Sequence, residues 1–112
     1  MSIPRRRFGR VVRLREGQEE EYDRQHAAVW PEVLLAIGGS GIRNYSIYRH
    51  QRWLFSYFEL PPDRSIEEIG ARLAKDEACR RWETLMQALQ EPLPESGGDS
   101  WWVPMKEVFH LE

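Results

Sequence analysis

Tyr22, His26 and Trp30 stand at steps of four in "EYDRQHAAVWPEV", Glu21 to Val33, and Pro31 follows at once. Residues four apart share one face of a helix, so this spacing lines up a phenol, an imidazole and an indole. A core helix carries leucines at such positions, whereas these side chains can hydrogen-bond or stack on a ligand. His26 is the one whose ordinary pKa lets it both give and take a proton near neutrality. Tyr22, one turn away, can hold the imidazole ring or bind a ligand hydroxyl. The stripe therefore offers general acid–base chemistry beside aromatic surfaces. From spacing alone, a core histidine flanked by aromatics fits it as well.

The elements that carry the stripe follow from local pattern. "RRFGRVVRL", Arg6 to Leu14, is rich in β-formers and stops at "REGQ", which predicts a first strand. "GQEEEYDRQH" opens a helix whose first turn holds Glu19, Glu20 and Glu21 at the positive end of its dipole. Pro31 donates no backbone hydrogen bond and pushes Trp30 away from helical dihedrals. The helix should stop or kink near Trp30, restart with Pro31 in its first turn and end at "GGSG", 38 to 41. Strands are expected at 42–48 and 53–60, joined by the short "RHQR" as an antiparallel hairpin. After "LPPD", Ser65 or Asp63 can cap a helix over 66–89, which Gly70 and "KDEA" weaken in the middle. "EPLPESGGDS" is a loop by composition. "WWVPMKEVFHLE" reads as the last strand, with Pro104 confining its start to an edge or bulge.

The order β-α-β-β-α-β predicts an α+β chain: a ferredoxin-like fold with a four-stranded antiparallel sheet and helices on one face. The other face, expected to carry residues such as Tyr45 and Phe55 or Phe58, must also be covered. A second subunit is the economical cover, and two sheets would then close into a dimeric α/β barrel.

The 112 residues suit a single domain over 1–112, and 41% hydrophobic residues can form its core. Sixteen basic against eighteen acidic residues give a net charge of −2, which offers no general pull on nucleic acid or an anionic membrane. The basic run Arg5, Arg6, Arg7 reads as a solvated strand end, since acidic residues follow too soon for a transit peptide. No apolar run approaches membrane-span length and no signal-peptide hydrophobic region is present, so the chain reads as soluble and cytoplasmic. Cys79 is the only cysteine, which excludes an intrachain disulfide and suits a reducing compartment. In "DEACRRWETLM" it reads as a small half-buried hydrophobe. Cysteine-based metal sites fall by count, and His26, His50 and His110 are too scattered for a zinc motif. Neither a metal nor a cofactor is expected.

"EYDRQHAAVWPEV", "GIRNYSIY", "LFSYFEL", "CRRWETLM" and "EVFHL", in order across roughly residues 7–111, resemble the L-rhamnose mutarotase family. The strings E-Y-x-x-x-H-x-x-x-W-P-E and N-Y-[SA]-I-Y carry most of the resemblance. It implies a ferredoxin-like homodimer that interconverts the α- and β-anomers of a free monosaccharide, L-rhamnose or, for some members, L-fucose. It also implies that His26 is the proton donor and that Tyr22 and Tyr45 bind the sugar. The family's tandem tryptophans after C-x-R fall on Trp82 and Glu83, so only the first is kept. Trp101 or Trp102 can supply the missing wall, with Trp102 favoured, and Asp99 can stand in for a carboxylate of the family's Asn-Asp-rich turn.

Mutarotation needs a proton delivered to the ring oxygen and one removed from the anomeric hydroxyl, with no redox step, phosphoryl group or metal. The base stays open at this point among a water, a tyrosine and Asp99, and Arg10 can face either the pocket or the dimer. Two rival functions share the fold: a cofactor-free monooxygenase of the dimeric ferredoxin-like type, and a non-catalytic sugar-sensing module.

Overall fold

The computed structural model describes residues 3–98 and 100–112. Its elements are β1 (Arg6–Leu14), α1 (Glu19–His26), α2 (Pro31–Gly39), β2 (Arg43–His50), β3 (Trp53–Leu60), α3 (Ile66–Ala74), α4 (Glu77–Leu89), β4 (Gln90–Glu91) and β5 (Val103–Met105). The sheet is antiparallel in the order β2-β3-β1-β4, and β5 also pairs with β1. Gly9–Val11 pair with β3 on one side and β5 on the other, so β4 and β5 share the outer edge of β1.

The expected long last strand is thereby corrected. The outer edge of β1 is held by two short pieces, and 106–112 carry no regular structure. Proline explains the brevity: Pro92 follows β4 directly with Pro94 two residues on, and Pro104 sits in the middle of β5 without an N–H for the ladder.

Helix boundaries follow the caps. Trp30 is the N-cap of α2 at ψ 133°, with Pro31 first in the helix, so the break falls where proline requires it. α1 already ends at His26, and Trp30 lies outside the helical stripe that the spacing suggested. Ser65 Oγ accepts the Glu68 N–H at 3.0 Å, and Asp76 Oδ1 accepts the Cys79 N–H at 3.0 Å. Each such cap contributes about 1 kcal/mol. Asp76 is why "KDEA" divides the predicted 66–89 helix into α3 and α4, while Gly70 stays inside α3.

Side-chain alternation assigns the two sheet faces. Val12, Leu14 and Leu54 are fully buried and pack with Tyr22, Met86 and Leu89, so even-numbered residues of β1 and β3 face the helices. A second cluster holds Ile42, Phe58, Leu60 and Ile69, with Tyr45 packed against it. Tyr45 and Phe58 thus lie under the helices, contrary to the expectation that they line the open face. A register shift between Arg43 and Ser46 is responsible, since Asn44 and Tyr45 together oppose Phe58. Asn44 adopts φ 52°, which asparagine tolerates better than most residues. The open face instead carries Tyr48, Trp53 and Phe55, which are 67%, 36% and 38% exposed.

Candidate functional site

The helical spacing of α1 brings the rings of Tyr22 and His26 to a centroid distance of 4.1 Å, with planes inclined by 29°. His26 Nδ1 lies 3.1 Å from the Tyr22 carbonyl oxygen. A carbonyl can only accept, so Nδ1 carries a proton and Nε2 is the nitrogen free to exchange one. Burial lowers the pKa of His26; its backbone bond to Tyr22 and the nearby Asp23 carboxylate pull weakly the other way. The resting imidazole is therefore neutral at neutral pH, with a lone pair on Nε2.

Trp82 reaches this group from α4. Its indole packs edge-on against His26 at 5.4 Å and against Trp30 at 5.2 Å. Trp30 is a packing residue at the bend, as the Trp30–Pro31 break suggests. Tyr45 lies tilted on Phe58 at 5.6 Å, and Phe58 stacks on Phe8 at 5.3 Å.

A cleft of about 630 Å³ opens between α1, α2 and the edge strand β2. Tyr22, His26, Tyr45, Ile47, Asp23 and Arg49 are among its lining residues. The volume suits a small ligand, for which pockets run about 300–1,000 Å³. At its rim Arg49 donates to both carboxylate oxygens of Asp23, at 2.7 and 2.6 Å, tying β2 to α1. Burial raises the pKa of both Tyr22 and Tyr45; at Tyr45 the Arg10 guanidinium opposes it, and at both the Glu83 carboxylate adds to it. Both phenols stay protonated, which suits them to hydrogen-bonding hydroxyls and not to acting as bases.

Three of the predicted site residues, Tyr22, His26 and Tyr45, share the cleft lining. Trp82 stands beside His26, outside that lining. Trp102 is half-buried and meets the group indirectly: Arg10 lies with its guanidinium carbon 4.9 Å from the Phe58 ring centroid and 5.3 Å from that of Trp102. Trp101 and Trp102 precede β5, and both pack on the cluster that contains Tyr22. Asp99 lies outside the described residues. Glu83 does not point freely to solvent: it is half-buried and accepts from Gln87 Nε2 at 3.3 Å. Burial raises its pKa, opposed chiefly by the Arg10 charge.

Arg10 is what the sequence left open. The structure places it on the helix-covered face with Phe8, Val12 and Leu14, between the Phe58 and Trp102 rings. Cys79 behaves as expected of a half-buried thiol, pushed up to about 11 by burial. Among the described residues no group of three or more His, Cys, Asp and Glu side chains is placed to hold a metal ion.

Residues 7–111 match the family model described as L-rhamnose mutarotase. The chain belongs to the L-rhamnose mutarotase family. An L-rhamnose mutarotase of Lactiplantibacillus plantarum is 34% identical over 110 residues, covering 95% of this chain and 98% of its own. One from Clostridium beijerinckii is 31% identical over 103 residues, covering 90% and 93%. The crystal structure of an L-rhamnose mutarotase from Formosa agariphila superposes with a TM-score of 0.74 at 25% identity, over 96% of this chain and 99% of that one. Mutarotases are isomerases acting on carbohydrates, and membership of this family favours neither the monooxygenase nor the non-catalytic module.

Proposed function

We propose that this protein interconverts the α- and β-anomers of L-rhamnose, with L-fucose as the second sugar to test, and that His26 moves the proton. The observation that carries the mechanism is the fixed tautomer of His26, with one exchangeable nitrogen at a cleft lined by two neutral phenols. Nε2 takes the proton of the anomeric hydroxyl. The electrons left on O1 form the carbonyl, the C1–O5 bond breaks, and its electron pair goes to O5. The imidazolium then gives its proton to O5, which is the donor role that the resemblance implies. O1 and O5 are both bonded to C1, so one nitrogen can serve both. Rotation about C1–C2 presents the other carbonyl face, and the steps run backwards to close the opposite anomer. Tyr22 and Tyr45 hold the sugar by its hydroxyls, and Trp82, with Trp102 further along, supplies apolar surface for its C–H face. Positioned acid–base catalysis is worth about 10²–10⁴-fold, which is ample for a reaction that already proceeds in water.

A ferredoxin-like single domain over 1–112, forming a homodimer with barrel-like pairing of two sheets, belongs to the same reading. Its support is the exposed Tyr48, Trp53 and Phe55 on the open face of a small chain. The lone cysteine suits the reducing cytoplasm. Among the described residues no helix is long and apolar enough to cross a membrane. The test is proton saturation transfer: adding protein to L-rhamnose should pass saturation from one anomeric resonance to the other. No transfer with L-rhamnose, L-fucose or a related aldose would overturn the activity.

A further inference from the structure

Arg10 and Glu83 are two charged side chains on the helix-covered side of the sheet, where most neighbours are apolar or aromatic. Arg10 comes from the middle of β1, and its guanidinium sits between the Phe58 and Trp102 rings. Its Nε is buried without a hydrogen-bond partner, as are those of Arg5, Arg7 and Arg13, but each of those three has a carboxylate within ion-pair distance, and among the described residues Arg10 has none. Glu83 follows Trp82 on α4, one position past the stripe of Ala78, Trp82, Met86 and Leu89 that packs on the sheet. The two charges feel each other, and both act on Tyr45; Glu83 also acts on Tyr22. Neither is among the residues that line the cleft: Arg10 adjoins it through the Phe58 ring, which lies 5.6 Å from that of Tyr45, and Glu83 follows Trp82, whose indole lies 5.4 Å from the His26 ring.

A buried donor without a hydrogen-bond partner and a half-buried carboxylate whose hydrogen bond, among the described residues, is a long one from an amide are both costly. With no ion pair between them among the described residues, they offer a donor and an acceptor to the hydroxyl groups of a ligand. A hydroxyl oxygen can accept from a guanidinium N–H, and a neighbouring hydroxyl can donate to a carboxylate.

We propose that Arg10 and Glu83 form a charged wall of the sugar site that grips two adjacent ring hydroxyls, Arg10 donating to one and Glu83 accepting from the next. The ligand class is an aldose with a vicinal diol on the face away from His26, and the proposal rests on the mutarotase reading of the cleft. The pair is a binding device: it takes no proton in the reaction, and it sets which aldoses are held.

The experiment measures saturation-transfer rates against sugar concentration for the wild type, Glu83→Gln and Arg10→Lys, with thermal melts to show that each is folded. Glu83→Gln keeps the shape and loses the charge, and Arg10→Lys keeps the charge and loses the planar fork. Each should raise KM by about tenfold or more, the loss of a charged hydrogen bond, with the rate at saturation changed by no more than about threefold. The sharper arm uses the 2-, 3- and 4-deoxy analogues of the sugar. The wild type should discriminate against the analogue missing the gripped hydroxyl, and Glu83→Gln should lose that discrimination. A merely structural glutamate would leave the discrimination intact. Unchanged KM in Glu83→Gln, or a loss of rate at saturation with unchanged KM, overturns the pair while a working wild type leaves the activity standing. A wild type that exchanges no aldose removes the activity itself. Should Arg10→Lys fail to fold, the glutamine variant alone decides.

Discussion

Arg10 and Arg13 stand three residues apart on β1 and leave it on opposite faces. Each lies over an aromatic ring, Arg13 at 5.2 Å from Trp53 and Arg10 at 4.9 Å from Phe58. On the open face, Arg13 Nε sits 2.5 Å from Glu91, and Glu91 also takes Arg52 at 3.1 Å. On the helix-covered face Arg10 has no such carboxylate within reach among the described residues. The outer arginine has its counter-charge from its own chain. On the proposed reading a ligand answers the inner one, and a similar strand position serves packing on one side and recognition on the other.

The largest way to break this contrast is at the chemistry it surrounds. His26→Ala, in a folded protein, should slow anomer exchange by about 10²-fold or more, toward the uncatalysed rate, while His50→Ala changes nothing. Saturation-transfer rates check both. Next, Arg10→Met should weaken sugar binding by about tenfold, and Arg13→Met should not weaken it. Equal losses from the two arginines, read by titration calorimetry with the sugar, would erase the distinction between faces. A charge on the open face tests the other half: Phe55→Glu should convert a dimer to single chains in sedimentation while leaving the cleft residues in place. A wild-type mass of one 13.3 kDa chain at micromolar concentration would contradict the covered-face account. The smallest effect belongs to the rim. Asp23→Asn breaks an ion pair at the cleft mouth, and since exposed pairs contribute little, exchange should fall by about twofold at most.

Local chemistry made much of this legible. β1 ends where its run of β-formers meets "REGQ", and the Trp30–Pro31 break follows from a missing N–H and a steric clash. Tyr22 and His26 were legible because four residues make one helical turn. The bulge at Asn44 and Tyr45 was not, because nothing in "IRNYSIY" announces a left-handed asparagine, and that single residue decides which face Tyr45 joins. The last strand misled because its β-rich composition outlasts its pairing: Pro104 interrupts the ladder, and the following residues find no partner strand. Alternation groups Arg10 with Phe8, Val12 and Leu14, but whether that side meets the pocket or the dimer was not legible, because its surroundings come from Phe58 and Trp102, far away in the chain. Glu83 beside Trp82 could be counted as a departure from the family motif, but only helix packing shows that it remains half-buried near Arg10.

The central claim is that a neutral imidazole with its tautomer fixed begins the reaction, and the pH dependence of the rate at saturating sugar tests it most directly. Burial lowers the His26 pKa from 6.5, so the neutral form needed to take the anomeric proton is fully present above that value. It is lost only as pH falls through the depressed pKa. With the uncatalysed rate subtracted, exchange should be level from pH 8 down to about pH 6.5 and then fall along one acid limb that is absent in His26→Ala. An enzymatic rate that rises as pH falls through the same range would mean that the imidazolium is the resting catalyst, and would contradict the account.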